Sequence, residues 1–352
     1  NAEGGFFRYS VSRDWSLPHY EKLLETNAAL LVNYLHAYSI TGNEKYRTAI
    51  EKTIDYIKNY LSCPEGGFYG SQDADGEDEY YGKPIEERRK MELPYIDKTI
   101  YTNLSSLMAA AFLEAYLVLG IDYCRDFALK TIDLLTQKCY DREKGMFHYY
   151  DTEAHVSGLA TDNISMMEAL LSCFEITADK KYLEYAEQIA KFLIENLKEK
   201  DGAFFDRVKM EDDIGHLKMR NRPIGENAAA AECFSKLCIF TGDGSYKKIA
   251  EEALEDFSAE YERYFIHAAS YGMAIEKFID PVEIVVVGIK DELLNMLKYS
   301  EPRKVVVFID LKEDKALAAK KGYSTEGIYV CHKMACNKFD KAEDAIKYLE
   351  GQ

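Results

Sequence analysis

Apolar residues recur along this chain at helical spacing, in a unit that returns four times. Each copy opens with an Asn that follows Thr, Asp or Glu, at the pairs Thr26-Asn27, Thr102-Asn103, Asp162-Asn163 and Glu226-Asn227. An apolar run leads from each pair to a stop such as Thr41-Gly42, and a second helical run follows. The pattern predicts helical hairpins, none of which can bury its apolar face alone, so the copies are expected to pack side by side.

The two helices of a predicted hairpin differ in polarity. The first is the more apolar, as in residues 104–119, whereas the second carries charge on one face, as in residues 182–200. A helix that is apolar nearly all round is buried, and a two-faced helix is peripheral. We therefore predict a mainly α fold over residues 1–280, in which inner and outer helices alternate around a closed or nearly closed ring. The loops before the inner helices would then share one mouth of that ring.

The pattern changes near Pro281. Short β-branched runs alternate with helical stretches, in the order 283–288, 290–298, 305–309, 328–331 and 341–349. This order predicts a small α/β region over residues 281–352. Neither of the two strong strands is followed by a Gly-rich phosphate loop, so no nucleotide cofactor is expected.

Composition narrows the class of partner. The chain of 352 residues has 61 acidic and 44 basic residues and a net charge of −17. Phosphate groups are bound by clustered positive charge, so neither nucleic acid nor an anionic membrane is an expected partner. No uninterrupted apolar run reaches the length of about 18 residues that a membrane-spanning helix needs.

Cysteine usage bears on the cellular compartment. The eight Cys are scattered, several of them within helical runs. Buried thiols of a reducing compartment explain this better than a disulfide framework, so a cytoplasmic location is expected, with a disulfide-stapled secreted protein as the alternative. The chain opens at Asn1, and Gly4-Gly5-Phe6 is typical of the close of a preceding hairpin. We therefore expect the first hairpins and any targeting signal to lie upstream.

The segment 4–24 is the richest in candidate chemistry. It contains His19 with Glu21 close behind, and a His beside a carboxylate can act as an acid or a base near neutral pH. The alternative is that His19 hydrogen-bonds to backbone and holds the loop. The groups expected to bind a ligand beside this pair are Arg8, Tyr9 and the only Trp of the chain, Trp15.

A second acidic segment contains Asp73 and Asp75. Two carboxylates two residues apart can supply acid/base chemistry or bind sugar hydroxyls. The spacing does not continue as that of a calcium loop, so no metal is expected there. The alternative is a solvated acidic turn, which Gly76 and the charges after it favour.

The recurring Asn residues and their neighbours are expected at the mouth, beside helix N-termini that favour anionic or hydroxyl ligands. N-capping, repeated because the hairpin repeats, is the favoured explanation of the recurrence and leaves a ligand role open for particular copies. Arg220 and Arg222 can hold a carboxylate or phosphate or neutralise an acidic rim, and Asp97 beside Lys98 indicates a structural ion pair. The ligand-binding positions predicted in this group are Asn27, Asp97, Asn103, Asp162, Asn163, Arg222, Glu226 and Asn227.

Cys331 and Cys336 are separated by four residues that include His332. A zinc site would need a second pair of ligands, which is missing, so no metal is expected here either. A redox role for the two sulfurs is the remaining candidate.

Several motifs together resemble one family. They include Trp-Ser-Leu-Pro-His-Tyr-Glu-Lys at 15–22 and the segments 4–11, 26–28, 64–75, 97–98, 222–227 and 329–336, which extend over essentially the whole chain. They resemble the YyaL/spermatogenesis-associated thioredoxin-domain family. The resemblance implies an (α/α)6 toroid of helical hairpins, as in N-acylglucosamine 2-epimerases and six-hairpin glycosidases, behind an N-terminal thioredoxin-like domain. It also implies that this chain holds an incomplete toroid and lacks the thioredoxin-like domain, which would be its partner.

Three functions remain open. In the first, the toroid acts on a sugar-like small molecule as an epimerase, isomerase or glycoside hydrolase. His19 would be the acid or base, Glu21 would orient it, and Asp73 or Asp75 would be the partner carboxylate, while hydroxyls would bind to Arg8, Tyr9 and Asn163. In the second, the chain is a non-catalytic binding or accessory module that works with a thioredoxin-like domain. In the third, it keeps the fold and has lost the pocket.

Overall fold

The computed structural model describes residues 3–74, 79–200, 202–333 and 335–351. Contacts divide the chain into two units, the first of residues 1–141 and 146–157 and the second of residues 142–145 and 158–352. This division differs from the boundary expected between residues 280 and 281, which stays a prediction. The C-terminal sheet lies within the second unit.

The first unit is built on two helical hairpins. Its helices are α1 Leu24–Thr41, α2 Glu44–Tyr60, the short α3 Ile85–Arg88, α4 Thr102–Leu119 and α5 Asp122–Cys139. α1 pairs with α2 and α4 pairs with α5, and the two apolar helices α1 and α4 also pack on each other. The strands are β1 Tyr9–Ser10, β2 Pro18–His19, β3 Lys22–Leu23, β4 Ser71–Gln72, β5 Ile96–Asp97, β6 Ile100–Tyr101, β7 Tyr140–Asp141, β8 Gly145–Tyr150 and β9 Ala154–Ser157.

The second unit continues the hairpins and adds a sheet. The hairpin helices are α6 Ala160–Thr177, α7 Lys180–Asn196, α8 Ile224–Thr241 and α9 Gly244–Glu255, followed by α10 Ala269–Ile279. α6 packs on α7 and α8, and α8 packs on α9 and α10. Three 3-10 helices lie at Gly215–Lys218, Tyr261–Ala268 and Lys290–Glu292.

The α/β region predicted after residue 280 is present. Its elements are β10 Val282–Val287, α11 Leu293–Lys298, β11 Lys304–Ile309, α12 Lys315–Lys321, β12 Gly327–His332, β13 Ala335–Phe339 and α13 Ala342–Glu350. The strand order is β11-β10-β12-β13, with β10 and β11 parallel and the other two pairs antiparallel. Glu175 of α6 connects this sheet to the helices, since its carboxylate accepts from the Val306 N–H at 3.1 Å and binds Lys236 at 2.7 Å.

The four inner helices α1, α4, α6 and α8 have the same length and end in the same way. Each is 18 residues long and is followed by a residue in the left-handed conformation, namely Gly42, Gly120, Ala178 and Gly242. The outer helices α2, α7 and α9 begin with a side-chain cap, as predicted for Asn43, whose carboxamide oxygen accepts from the Lys45 N–H at 3.0 Å. The outer helix α5 follows Ile121 and has no side-chain cap. The apolar periodicity and the stops after the inner helices were therefore sufficient to locate the hairpins.

N-capping is the wrong explanation for the recurring Asn. Asn27 is the fourth residue of α1, whose N-cap is Leu23. Its Oδ1 accepts from the Phe6 N–H at 2.7 Å, and its Nδ2 donates to the Phe6 carbonyl at 3.2 Å. Asn227 of α8 makes the same two bonds to the backbone of Phe204, at 2.7 and 3.0 Å. The Asn therefore ties an inner helix to the Gly-x-Phe segment before it, satisfying buried backbone groups of that segment.

The second copy departs from this register. The fourth residue of α4 is Ser105, and Asn103 is only the second. The Ser105 hydroxyl accepts from the Phe68 N–H at 3.3 Å and donates to the Phe68 carbonyl at 3.2 Å. Ser105 thus occupies the position of Asn27, and the equivalence drawn from the sequence between Asn103 and Asn27 is wrong.

Among the described residues, α4 is long and apolar enough to cross a membrane, with a mean hydropathy of 1.4. The core helix of a globular protein meets the same test of length and composition. α4 packs against both α1 and α5 of its own unit.

Candidate functional site

Three predicted site segments become neighbours in the first unit. Tyr9 of β1 lies opposite His19 of β2. The chain continues directly into β3, where Lys22 lies opposite Gln72 of β4, and β4 in turn pairs with β5, which ends at Asp97. Short antiparallel pairings thus collect side chains from residues 8–10, 18–23, 71–73 and 96–97. We call this set of strands the His19 site.

The His19 imidazole stands between a ring and a carboxylate. Tyr9 stacks on it with the ring centroids 4.8 Å apart. Its Nδ1 lies 3.9 Å from Oε2 of Glu21, is buried, and has no hydrogen-bond partner among the described residues. Arg8 donates to the same Glu21 oxygen at 2.7 Å. The predicted combination of Arg8, Tyr9, His19 and Glu21 is therefore a contiguous cluster, with Glu21 shared between a guanidinium and an imidazole.

Trp15 lies in the loop between β1 and β2. Its side chain is 80% exposed, and its backbone has the left-handed φ of 61°, which is uncommon for a bulky residue. Asp14 stabilises the turn by accepting from the N–H and the hydroxyl of Ser16, and bonds from Ser12 and Ser16 lower its pKa to about 2. The loop thus holds an indole ring in solvent, where a ligand can stack on it.

The acidic positions have different surroundings. Asp73 is exposed and follows Gln72, so continuing the antiparallel register by one residue brings it level with Glu21. Asp97 accepts from the Thr99 N–H at 3.1 Å and the Tyr101 hydroxyl at 3.2 Å. The ion pair expected for Asp97 is not among its contacts in the described residues, so that expectation is wrong. Asp75 lies outside the described residues.

Lys22 is a residue of this site that sequence reasoning missed. It is fully buried, and its ammonium donates to the carbonyl of Gly4 at 3.0 Å. The same nitrogen lies 4.0 Å from the ring centroid of Tyr56, 5.3 Å from that of Phe7 and 5.7 Å from that of Tyr81. The abundance of Tyr was the available sequence signal for such a site, since the face of an aromatic ring attracts a cation.

The burial of Lys22 among these rings also affects its own protonation. Burial lowers the pKa of Lys22 to about 7; the nearby carboxylate of Glu3 opposes this change and the guanidinium of Arg88 adds to it. Behind these rings, Gln72 is buried, and its Oε1 accepts from the hydroxyls of Tyr56 at 3.0 Å and Tyr81 at 3.2 Å. The β3–β4 strand pair, which follows His19 in the chain, is therefore supported by a network of polar and aromatic groups.

The remaining predicted ligand residues lie mostly in the second unit. Asn227 is buried and bonded to backbone, as described above, and Asn163 donates to the Leu159 carbonyl at 2.8 Å. Asp162 is fully buried, whereas Glu226 is half-buried in the first turn of α8. Asn103, in the first unit, is half-buried. The side-chain amides of Asn163 and Asn227 are thus engaged with backbone groups of other residues.

A cavity of about 470 Å³ in the second unit surrounds the predicted arginine pair. Arg222 donates to Glu199 at 2.8 Å and to Asp256 at 2.9 Å, and Arg220 stacks on Phe205 with 3.8 Å from guanidinium carbon to ring centroid. The two carboxylates neutralise Arg222, so this cavity suits hydroxyl groups better than a phosphate. Its other lining residues are Asn221, Pro223, Phe257, Glu260 and Tyr264.

The expectation that the cysteines are thiols is wrong for one pair. Cys331 and Cys336 lie opposite each other on β12 and β13 and form a disulfide. The other six Cys form no disulfide, and four of them are buried. Among the described residues, no group of three or more His, Cys, Asp or Glu could hold a metal ion.

Comparison with solved structures defines the class of fold. Cellobiose 2-epimerase from Spirochaeta thermophila matches with a TM-score of 0.60 at 15% identity, over 75% of this chain and 65% of that chain. A D-mannose isomerase matches with a TM-score of 0.55 at 18% identity, over 79% and 66%. A GH76 α-mannanase from Bacteroides thetaiotaomicron matches with a TM-score of 0.53 at 18% identity, over 70% and 63%. The fold is therefore the mainly α toroid of helical hairpins, here with a small C-terminal α/β region, as predicted.

Sequence comparison confirms the resemblance drawn from the motifs. Residues 75–213 match the family model of N-acylglucosamine 2-epimerase. Mouse spermatogenesis-associated protein 20 is 43% identical over 82 residues, which are 23% of this chain and 10% of that protein. The matched segment thus spans about a tenth of the length of this curated relative.

Proposed function

We propose that the chain acts on a sugar by acid/base chemistry at the His19 site. One observation carries the proposal: the imidazole of His19 is stacked on Tyr9 and placed beside the carboxylate of Glu21, which Arg8 orients. Such a pair can take a proton from a bound substrate and return it. The stacked Tyr9 and the exposed Trp15 offer ring faces to a sugar, as in many carbohydrate sites.

Epimerisation or isomerisation fits this site better than hydrolysis. Moving a proton at the carbon beside a carbonyl needs one acid/base group within reach of that carbon, and the imidazole of His19 is such a group. Hydrolysis with two carboxylates needs an acid and a second carboxylate on opposite sides of the scissile bond. Of the carboxylates on these strands, Glu21 binds Arg8 and Asp97 binds Tyr101, and this leaves Asp73 for such a role. The epimerase and isomerase among the structural neighbours agree with this choice.

The second candidate is an accessory module that binds a ligand or client and works with a thioredoxin-like domain. The Cys331–Cys336 disulfide favours it, since a dithiol partner would have a group to react with. In that case the His19 site would bind without turnover.

Proton exchange with solvent separates these candidates. The purified protein is incubated in D₂O with D-mannose or cellobiose, and proton NMR follows the signal of the hydrogen at C2. An epimerase or isomerase introduces deuterium at C2. A glycosidase cleaves cellobiose without introducing deuterium at C2. For a binding module, the sugar only raises the melting temperature of the protein.

Two variants connect the activity to the site. His19→Ala is expected to reduce the exchange rate at least a hundredfold, which is the usual size of an acid/base contribution. His216→Ala, at an exposed His of the second unit, is the matched control and should leave the rate unchanged. Exchange that is equally fast in wild type and His19→Ala would refute the assignment, as would failure of every tested sugar either to exchange or to bind.

A further inference from the structure

The Cys331–Cys336 disulfide differs from the other cysteines in exposure. It joins opposed residues of the β12–β13 hairpin, and Cys336 is exposed on β13, the end strand of the sheet. Several of the thiols are held in their unreactive protonated form: burial raises the pKa of Cys124 to about 12, and burial also raises the pKa of Cys233 and Cys238. A reagent in solution can therefore reach the Cys331–Cys336 disulfide, whereas it cannot reach the buried thiols.

The hairpin does not depend on this bond for its structure. Five residue pairs, from Ile328 opposite Phe339 to His332 opposite Ala335, already hold β12 and β13 in register. The disulfide closes a sequence separation of only five residues, and short loops gain the least stability from a crosslink. The bond can therefore open without unfolding the sheet, which a site that alternates between two redox states requires.

The two sulfurs have different surroundings. Cys336 faces solvent, whereas Cys331 is half-buried with its Sγ 3.6 Å from the hydroxyl of Tyr323. Burial raises the pKa of Tyr323 to about 12, so this hydroxyl keeps its proton at neutral pH and can donate to a thiolate. Glu283 lies opposite Cys331 and would repel a thiolate, but its carboxylate is bound by Lys321. Cys331 is thus the better leaving sulfur, and Cys336 is the sulfur that a nucleophile can reach.

We propose that Cys331–Cys336 is a thiol–disulfide exchange site whose co-reactant is a dithiol that can close its own disulfide. Cys336 is the sulfur that is attacked, and Cys331 leaves as a thiolate that receives a hydrogen bond from Tyr323. This activity is independent of the sugar chemistry at the His19 site.

The exchange balances in two steps. A thiolate of the reductant forms a bond to Sγ of Cys336, the Cys331–Cys336 bond breaks, and its electron pair goes to Sγ of Cys331, which then takes a proton. The second thiol of the reductant loses its proton, attacks its own sulfur in the mixed disulfide, and releases the Cys336 thiolate, which is protonated. The reductant becomes a disulfide after losing two electrons and two protons, and the Cys331/Cys336 pair gains both.

Graded reduction of the intact chain tests the proposal. The oxidised protein is equilibrated with defined ratios of reduced to oxidised dithiothreitol, quenched with N-ethylmaleimide, and analysed by peptide mass spectrometry and circular dichroism. Cys331 and Cys336 are expected to be labelled together, before the buried thiols and with an unchanged circular dichroism spectrum, and to re-form their bond in oxidised dithiothreitol. Glutathione, a monothiol, should complete the reduction at least tenfold more slowly. A pair that is reduced only when the chain unfolds, or that does not re-form, would overturn the proposal.

Matched variants test the assigned roles. Tyr323→Phe should slow reduction by about threefold to tenfold, because the leaving thiolate loses its donor. Tyr329→Phe is the control, since that ring lies 4.7 Å from Tyr323 while its hydroxyl bonds to Thr325. Cys331→Ser, which leaves Cys336, should react with glutathione disulfide at least tenfold faster than Cys336→Ser. Equal rates within either pair of variants would reject the assignment of attacked and leaving sulfurs.

Discussion

Replacing Lys22 with Met should change how the stability of this protein depends on pH. The ammonium of Lys22 is fully buried under Tyr56 and the neighbouring rings, with one hydrogen bond to a carbonyl. Burial lowers its pKa from 10.5 to about 7, against the attraction of Glu3. Met is similar in length and apolar, so Lys22→Met removes the titrating group and keeps most of the packing.

The sign follows from proton binding. Between pH 7 and 9 the unfolded chain keeps the Lys22 proton, because its pKa there is that of a free lysine, whereas the folded chain has released it. The unfolded state therefore binds more protons, and the stability of wild type rises with pH over this window. The two pKa values give a rise of about 2.3 kcal/mol from pH 7 to pH 9, relative to a variant without the group. Below pH 6 the folded lysine stays charged, and the penalty of burying it is fully present.

Urea unfolding at pH 6, 7, 8 and 9 measures this difference. The free energy of unfolding of wild type minus that of Lys22→Met should increase by about 2 kcal/mol between pH 7 and 9. Ionisation of the thiols affects both proteins alike and cancels. Lys58→Met is the control, since Lys58 lies over the ring of Tyr123 at 4.5 Å but is exposed, and its difference from wild type should be flat. A flat difference for Lys22→Met as well would mean that the lysine titrates normally, and the reasoning about its burial would be wrong.

Three further predictions concern stability and are checked by urea unfolding at pH 7. Asn27→Ala should lower the free energy of unfolding by about 2–3 kcal/mol, since buried backbone groups lose their partners, whereas Asn43→Ala removes an exposed cap and should cost about 1 kcal/mol; equal losses would contradict the tie inferred for Asn27. Ala178→Gly should stabilise by about 0.5–1 kcal/mol because Ala178 has a φ of 58°, and Gly120→Ala, where open space surrounds the position, should destabilise by about 1 kcal/mol. Glu175→Ala should cost about 3 kcal/mol and Glu175→Gln clearly less, because Gln keeps an acceptor for the strand amide; the reverse order would refute this.

Much of the candidate site could be predicted from the sequence, but the packing of aromatic rings around Lys22 could not. Arg8, Tyr9, His19 and Glu21 are close in sequence, so a short hairpin suffices to bring them together. Lys22 adjoins them in the chain, yet its role depends on rings and a carbonyl contributed by distant segments. Strand alternation does not reveal such a cage, because it describes which face a residue occupies and says nothing about what packs there.

The sequence by itself determined the hairpins, their stops, the cap at Asn43, and the change to an α/β region after residue 280. These features depend on spacing within a few turns of chain, and apolar periodicity, left-handed glycines and capping side chains act over that range. Only the tertiary structure decided that Asn27 ties down Phe6, that Ser105 takes this role in the next hairpin, and that Cys331 meets Cys336 as a disulfide. Those outcomes depend on which segments become neighbours, and packing selects the neighbours by burying apolar surface and by pairing most of the backbone groups that it buries.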